Sequence, residues 1–419
     1  MFKFIHCADL HLDSPLRGLS MSMDVPLDEI RSATRRALRN LVKLAIDEEV
    51  DFVVIAGDVY DGDWPDYTTG LFFNACMARL NEANIPVFLI SGNHDAASNI
   101  TRSLVLPPNV IRFSVDHPET HLIESLNVAL HGQGFKQREV RDNLVPTYPN
   151  VVPGWFNIGI LHTSAEGQEG HETYAPCRVD ELARKGYDYW ALGHIHKRQV
   201  LHEEPYIVFP GNLQGRHIRE TGEKGCMLVT VDGRKLSLEF HSLDVLRWCL
   251  CSVDLTGVQT DSDFAARITA AIAEYVDANS GMPIAIRILL QGRTPLHGAL
   301  LAEQERYHNE VANSANMSAP GRIWIEKVKF ATEPPSKVDM QVNHGDAVAG
   351  LSRSIERVVA DVEFLESFSI EARAIQTRMS AYIKSEGATL IETADDVKPL
   401  LEDAQSLLLE MMAKGGAQS

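Results

Sequence analysis

The stretch SGNHD, residues 91–95, follows the apolar run Val87–Ile90 and ends it with an amide, an imidazole and a carboxylate. Taken alone, such a cluster is often a polar turn that satisfies its own backbone. It becomes informative because the same kind of ending recurs along the chain. Strand-like runs also end in Asp9-Leu10-His11, Gly57-Asp58, Leu161-His162 and Gly193-His194-Ile195-His196. Five predicted strands therefore deliver carboxylate, amide or imidazole groups at one kind of position.

Length and composition limit the class of protein. The chain has 419 residues, of which 45% are hydrophobic and 23% charged, and this predicts a globular protein of two or three domains. We expect no membrane span and no secretory signal, because no apolar run is long enough and the start of the chain is strand-like. The six cysteines form no CxxC pair and fit reduced thiols, which predicts a cytoplasmic protein.

The formal net charge of −18 argues against a protein that coats nucleic acid with a broad basic surface. It does not exclude an enzyme that acts on nucleic acid. Carboxylates gathered to hold divalent cations add to the negative count, and each bound cation reverses the local field.

The chain divides into three regions by pattern. Over residues 1–245, short β-branched and aromatic runs alternate with helical segments, which predicts βαβ units followed by an antiparallel meander. Two packed sheets flanked by helices would accommodate both. Residues 246–335 follow a strand–helix–strand–helix–strand pattern, and residues 336–419 have the spacing of amphipathic helices. The fold class that we predict is therefore α/β.

The strand-end residues fit a metal centre, because sites in open α/β sheets form beyond the carboxyl ends of strands. Asp, His and Asn offer mixed oxygen and nitrogen ligands, which suit Mn²⁺, Fe²⁺ or Zn²⁺. The set is too large for one ion and suits two ions about 3.5–4 Å apart that share a carboxylate, as in two-metal phosphoester hydrolysis. Each motif alone also fits a structural role, such as a hydrogen-bonded core histidine. Their combination favours the metal centre.

The order DxH, GD, GNHD, H and GHxH resembles that of the calcineurin-like metallophosphoesterases. Residues 1–240 are similar to the DNA-repair exonuclease branch of that family, the SbcD-like nucleases, and the stretches 8–16 and 209–226 resemble its YhaO subgroup. This resemblance implies a four-layer αββα sandwich over residues 1–245. It further implies a small α/β capping domain over 246–335 and a helical partner-binding or dimerisation region over 336–419.

The resemblance also implies site roles and a cofactor of two divalent metal ions, with Mn²⁺ as the expected metal. A first ion would be held by Asp9, His11 and His196, a second by Asn93, His162 and His194, and Asp58 would bridge the two. His94 would be catalytic, stabilising developing charge or protonating the leaving oxygen. We expect Asp95 to orient His94 or to cap the turn. Asp61 stands where some related nucleases carry a histidine associated with exonuclease action.

The expected function is a two-metal DNA nuclease, an exonuclease at DNA ends in double-strand-break repair. Its expected partners are DNA and a coiled-coil ATPase of the SbcC type, with a homodimer possible and no membrane. The helical segments 348–365 and 397–412 fit docking on that ATPase as well as packing on their own domain or in a homodimer. Two alternatives stay open: a protein phosphatase or small-nucleotide phosphodiesterase, and a scaffold whose metal site is idle.

Overall fold

The computed structural model describes residues 1–16, 18–19, 32–61, 67–97, 104–165, 174–233, 235–279, 281–335, 354–355, 357–378 and 391–416. The chain forms two compact units. The first comprises Met1–Cys249 with Gly281–Ala285, and the second comprises Leu250–Ser280 with Ile286–Ser419. The division into three domains at residues 245 and 335 stays a prediction.

The first unit contains two six-stranded sheets. The first sheet has four parallel strands, β1 to β4, and two antiparallel strands, β11 and β12, at the β1 side, in the order β12-β11-β1-β2-β3-β4. The strands are β1 (Phe2–Cys7), β2 (Phe52–Ile55), β3 (Val87–Leu89), β4 (Val110–Arg112), β11 (Gly225–Asp232) and β12 (Lys235–Ser242). Two helices, α1 (Ala33–Asp47) and α2 (Thr68–Glu82), make the βαβ crossovers.

The second sheet is built in a similar way. Its four central strands are parallel, its two edge strands are antiparallel, and its order is β5-β6-β7-β8-β10-β9. The strands are β5 (Glu119–Ile123), β6 (Val128–Gly132), β7 (Phe156–His162), β8 (Tyr189–Gly193), β9 (Gln199–Glu203) and β10 (Tyr206–Phe209). Two short helices, α3 (Asn93–Ala97) and α4 (Val179–Arg184), complete the unit.

The layers follow from the two-residue period of the strands, whose successive side chains point to opposite faces. In β2, Phe52 and Val54 face the core between the sheets, whereas Val53 and Ile55 pack with α1 and α2. The rings of Phe4 and Phe52 stack in the inter-sheet core with their centroids 4.9 Å apart. These layers confirm the predicted α/β sandwich.

The outer face of the second sheet is covered differently. Trp190 and Leu192 of β8 pack there against Leu182 of α4 and against Tyr148 and Tyr187 from loops. Among the described residues, this side is covered by α4, by a 3-10 turn at Val145–Thr147 and by loop side chains.

Nine strand-like runs of the sequence between residues 2 and 240 correspond to strands of these two sheets, whereas β4, β5 and β9 correspond to none. β4 is only three residues long, and β5 and β9 are edge strands of mixed burial, so none presents a continuous apolar run or a clean alternation. The sequence has a helical pattern over residues 27–49; α1 covers Ala33–Asp47 of it, and residues 27–31 lie outside the described residues.

The second unit contains most of a three-stranded sheet in the order β13-β14-β15. Its elements are β13 (Arg247–Asp254), α5 (Asp261–Ala278), β14 (Ile284–Arg293), α6 (His297–Ala302), α7 (Gln304–Ser318), β15 (Ile323–Glu333), α8 (Val362–Arg378) and α9 (Val397–Gly416). Residues 348–353 and 356 of the predicted helix 348–365 lie outside the described residues. The predicted helix 397–412 corresponds to α9, which packs against α6 of its own unit. Across the part of the chain that the structure describes, no helix is both long and apolar enough to cross a bilayer.

A pair of leucines on α2 tests the packing of this helix on the first sheet. Leu80 is fully buried, whereas Leu71 is 60% exposed on the same helix. We expect Leu80→Ala to lower the free energy of unfolding by about 2–5 kcal/mol, since it removes apolar contacts and leaves a cavity. Leu71→Ala should change it by less than about 0.5 kcal/mol. Denaturant unfolding measures both, and equal effects would contradict this packing.

Candidate metal centre

The predicted site residues converge at the carboxyl ends of parallel strands from both sheets. Asp9 and His11 follow β1, Asp58 follows β2, and Asn93 opens α3 after β3; His162 ends β7, and His194 and His196 follow β8. Their ligand atoms form two groups within which all atoms lie within 4.8 Å of one another: Asp9 with His11 and His196, and Asp58 with His162 and His194. A third such group joins His11, Asp58 and His94. The structure therefore brings all the predicted residues together, while their role as metal ligands stays a prediction.

The backbone is strained where it carries these side chains. Asp9, His11, Asp58 and His194 have φ angles of 51°, 42°, 52° and 103°, in the left-handed region that residues other than glycine rarely adopt. Such residues cost roughly 1–3 kcal/mol each and tend to collect at functional sites. Four of the predicted ligands therefore adopt backbone conformations that are energetically unfavourable.

Two glycines permit the close approach of the strand ends. A Cβ atom on Gly92 would lie 2.2 Å from Oδ1 of Asp58, and one on Gly193 would lie 2.0 Å from the carbonyl oxygen of Ala56. Both distances are far below van der Waals contact, so any side chain at either position would displace its neighbour. The glycines that precede Asn93 and His194 are therefore required by the packing of the site.

Acceptor atoms crowd the imidazole of His162. Its Nδ1 lies 2.9 Å from the carbonyl oxygen of Ala56, which can only accept, so Nδ1 carries the proton of the neutral ring. Its Nε2 then faces Oδ1 of Asn93 at 2.9 Å and Oδ2 of Asp58 at 3.3 Å. Burial lowers the pKa of His162, but Asp58 outweighs burial and raises it to about 9. This convergence of acceptors requires a positive charge, and it fits a cation.

Polar atoms also crowd together between the rings of His11 and His196. His11 Nδ1 lies 3.3 Å from Oδ1 of Asp61, and His196 Nδ1 lies 2.7 Å from Oε1 of Glu220. His196 Nδ1 donates a hydrogen bond to Glu220, and the charge of Asp61 favours a proton on His11 Nδ1, so the two Nε2 lone pairs face each other at 3.1 Å. Burial and the positive charge of Arg216 lower the pKa of His11 to about 3, which keeps it neutral as a ligand must be. A cation between the rings would relieve the repulsion of the lone pairs.

The Asp58 carboxylate lies between the two groups. Its Oδ2 is 3.3 Å from His162 Nε2 and 3.9 Å from His11 Nε2, while its Oδ1 accepts a hydrogen bond of 2.9 Å from the backbone N–H of His94. Burial raises the pKa of Asp58, but His162 and His11 outweigh burial and hold it well below its usual range. An ionised carboxylate in this place fits the predicted bridging role.

His94 is oriented by Asp61. The Nδ1 of His94 lies 3.2 Å from Oδ1 of Asp61. Burial lowers the pKa of His94, but Asp61 and Asp58 outweigh burial and raise it above its ordinary value. The Asp95 carboxylate instead accepts hydrogen bonds of 3.0–3.3 Å from the backbone N–H groups of Val59, Tyr60 and Gly92. Of the two roles expected for Asp95, the geometry supports capping of the turn.

Two side chains of the site were not identified from the sequence. Glu220 and Arg216 come from the loop between β10 and β11, and each contacts His196. Arg216 also approaches Oδ1 of Asp61 at 3.5 Å. The segment GNLQGRHIRETGEKG has neither strand nor helix periodicity, so composition offered no sign that it folds back onto the metal centre. The available signal was the four-residue spacing of two opposite charges, Arg216 and Glu220, which suggested an ion pair within this segment.

Comparison with known proteins gives two family matches. The family described as "Calcineurin-like phosphoesterase" matches residues 2–198, and the one described as "Metallophosphoesterase YhaO, middle domain" matches residues 248–333. The chain is 37% identical over 296 residues to the "Uncharacterized metallophosphoesterase YhaO" of Bacillus subtilis, which covers 70% of this chain and 72% of that protein.

Two more distant similarities were found. The chain is 21% identical over 384 residues to the "DNA double-strand break repair protein Mre11" of Sulfurisphaera tokodaii, covering 86% of this chain and 92% of that protein. Among solved structures, a dimetal phosphatase from Danio rerio aligns with a TM-score of 0.35 and 12% identity, covering 58% of this chain and 96% of that one.

Substitution of Gly92 tests the placement of Asp58. We expect Gly92→Ala to push the Asp58 carboxylate aside and to weaken Mn²⁺ binding at least about 10-fold, as for other disturbed supports of metal ligands. Gly159→Ala is the matched control, because its Cβ would lie 2.4 Å from the Trp190 ring on the outer face of the second sheet. Calorimetric titration with Mn²⁺ gives both affinities. Equal affinity in the two variants would contradict the role of Asp58.

Proposed function

Because the chain belongs to the calcineurin-like metallophosphoesterase family, we propose that it hydrolyses phosphodiester bonds in DNA with the help of two divalent cations. The observation that carries this proposal is the pair of ligand groups on either side of Asp58, with His94 beside them. Asp9, His11 and His196 would hold one cation, and Asn93, His162 and His194 the other, with Asp58 shared. Mn²⁺ is the proposed metal, since mixed carboxylate, amide and imidazole ligands suit it.

His94 is the proposed catalytic residue. When bound, the cations supply positive charge to the phosphate oxygens and activate a water molecule. The side chain of His94 is about one third exposed, whereas Asp58 is buried, so its ring is within reach of a substrate. The Asp61 carboxylate next to Nδ1–H favours the protonated ring, which leaves Nε2–H to donate to the leaving oxygen.

Support for DNA as the substrate comes from the similarity to the Mre11 repair protein, which extends over 86% of this chain and thus beyond the metal centre. The net charge of −18 is unfavourable for a subunit that grips DNA by itself. We therefore propose that it acts in double-strand-break repair in the cytoplasm, beside a coiled-coil ATPase of the SbcC type. Exposed apolar side chains along one face of α8, Phe364, Phe368 and Ile375, offer a surface for that partner or for a second copy.

The test is cleavage of end-labelled single- and double-stranded DNA by the purified protein in Mn²⁺, with Mg²⁺ and EDTA as controls. We expect cleavage in Mn²⁺, and we expect His94→Gln to lower kcat by about 10²–10⁴-fold, the usual contribution of a general acid. His117→Gln is the matched control, because His117 is exposed in a turn between β4 and β5. The product ladder gives the polarity.

Other outcomes separate the alternatives. Hydrolysis of a bis-aryl phosphate that depends on His94, without cleavage of DNA, would replace the nuclease with another phosphoesterase activity. Mn²⁺ binding without either activity would favour a scaffold.

The contact between Asp61 and His94 predicts a pH effect. An acid must be protonated, so activity falls as the pH rises through the pKa of His94. Asp61 raises that pKa, and Asp61→Asn should therefore move the fall to lower pH. The measurement is the pH profile of kcat on a bis-aryl phosphate at saturating Mn²⁺, with the exposed Asp116→Asn as control. An unchanged profile would refute the proposed pairing.

A further inference from the structure

We propose that Glu220 is a positioning residue of the metal centre, which holds His196 in the tautomer that can bind a cation. Through His196 it would set the affinity of the group formed by Asp9, His11 and His196. This inference rests on the proposed function, because it concerns the same cations. It adds a residue outside the five strand-end motifs, in the stretch 209–226 that resembles the YhaO subgroup.

Glu220 is buried and makes several close contacts. Its Oε1 lies 2.7 Å from His196 Nδ1 and 3.3 Å from a terminal nitrogen of Arg216. Its Oε2 accepts from the amide nitrogen of Asn212 at 2.9 Å and from the backbone N–H of Arg216 at 2.7 Å. Each oxygen therefore faces at least two donors. This arrangement suits a carboxylate, which only accepts hydrogen bonds.

An amide cannot replace this carboxylate. Glutamine has one acceptor oxygen and one NH₂ group, so either orientation places NH₂ against donors. If the oxygen stays with Asn212 and the backbone of Arg216, the NH₂ group faces His196 Nδ1. The ring would then accept at Nδ1 and carry its proton on Nε2, the atom that faces His11.

Arg216 makes the tautomer of His196 depend more strongly on Glu220. One terminal nitrogen of its guanidinium lies 3.2 Å from His196 Nδ1, and a guanidinium can only donate. If Glu220 did not accept a hydrogen bond from Nδ1–H, Arg216 would donate to an unprotonated Nδ1 and favour the Nε2–H form. That form has no lone pair at Nε2 and cannot bind a cation. Glu220 contacts both His196 and Arg216. It therefore determines whether His196 adopts the tautomer that can bind a cation through Nε2.

The backbone of His196 is anchored independently. Lys224 donates from Nζ to the carbonyl oxygen of His196 at 2.8 Å. The loop that carries Glu220 is also fixed by the backbone bond from Glu220 N to His217 O at 2.8 Å. Loss of the Glu220 charge should therefore act on the ring of His196 more than on the path of the chain.

The experiment is calorimetric titration of the full-length protein with Mn²⁺. We expect the wild type to bind two ions, and Glu220→Gln to weaken one of them by roughly 10–100-fold, the usual effect of losing a carboxylate behind a histidine ligand. Glu181→Gln is the matched control, because Glu181 also accepts two hydrogen bonds, from Asn143 and Arg178, at the start of α4. Thermal unfolding in EDTA shows whether each variant folds.

A second readout reports the tautomer itself. In the metal-free protein labelled with ¹⁵N-histidine, we expect His196 Nδ1 to carry a proton in the wild type and to lose it in Glu220→Gln. A general loosening of the loop would not produce this exchange of protonation site. If Glu220→Gln does not fold, Glu220→Asp takes its place, since the shorter side chain keeps the charge but loses reach.

The outcomes are distinct. Two tight ions in the wild type, with unchanged affinity in Glu220→Gln, or in Glu220→Asp if that variant is used, would overturn the role of Glu220 while leaving the proposed function intact. A proton on His196 Nδ1 in both proteins would overturn it as well. A wild type that binds no Mn²⁺ would instead refute the metal centre on which the proposed function depends.

Discussion

The charge of one buried carboxylate organises the centre of this protein. Asp58 lies between two groups of histidines that together draw on both sheets, and its two oxygens contact His162, His11 and the backbone of His94. Its pKa is held well below its ordinary range by the nearby imidazoles, and it contributes to the raised pKa values of His94 and His162. In a buried site this mutual dependence is strong, because little water screens the charges. Without a cation or a proton between them, the remaining acceptor atoms repel one another.

Tertiary packing brings these groups together, although the local backbone preferences of several site residues oppose the arrangement. The inter-sheet core, with Phe4, Phe52 and Tyr189 packed ring against ring, holds the carboxyl ends of β1 and β8 side by side. Four site residues adopt left-handed backbone conformations, and two glycines permit contacts that any Cβ would prevent. The packing energy of a large buried core offsets these local costs. The same pattern explains why the site is assembled from short strand-end motifs that are far apart in the sequence.

In this chain the residues predicted to bind metal differ from the features that bear on the choice of substrate. The proposed ligand groups and His94 would account for phosphoester hydrolysis, but such a site alone does not select DNA over another phosphoester. Further charged side chains surround the predicted ligands. Asp61 contacts both His11 and His94, and the loop between β10 and β11 brings a glutamate and an arginine to His196.

The sequence by itself determined the class of fold and the identity of the strand-end residues. Apolar runs with two-residue alternation and short polar motifs are local signals, and so β1, β2, β3, β7 and β8 were predicted together with the groups that follow them. Tertiary structure decided what lacks a local signal: the edge strands β4, β5 and β9, the turn-capping role of Asp95, and the arrival of Arg216 and Glu220 beside His196. These depend on contacts between residues distant in the chain. A carboxylate has the same appearance in the sequence whether it caps a turn, pairs with an arginine or orients a metal-binding histidine, and only its neighbours in space distinguish these roles.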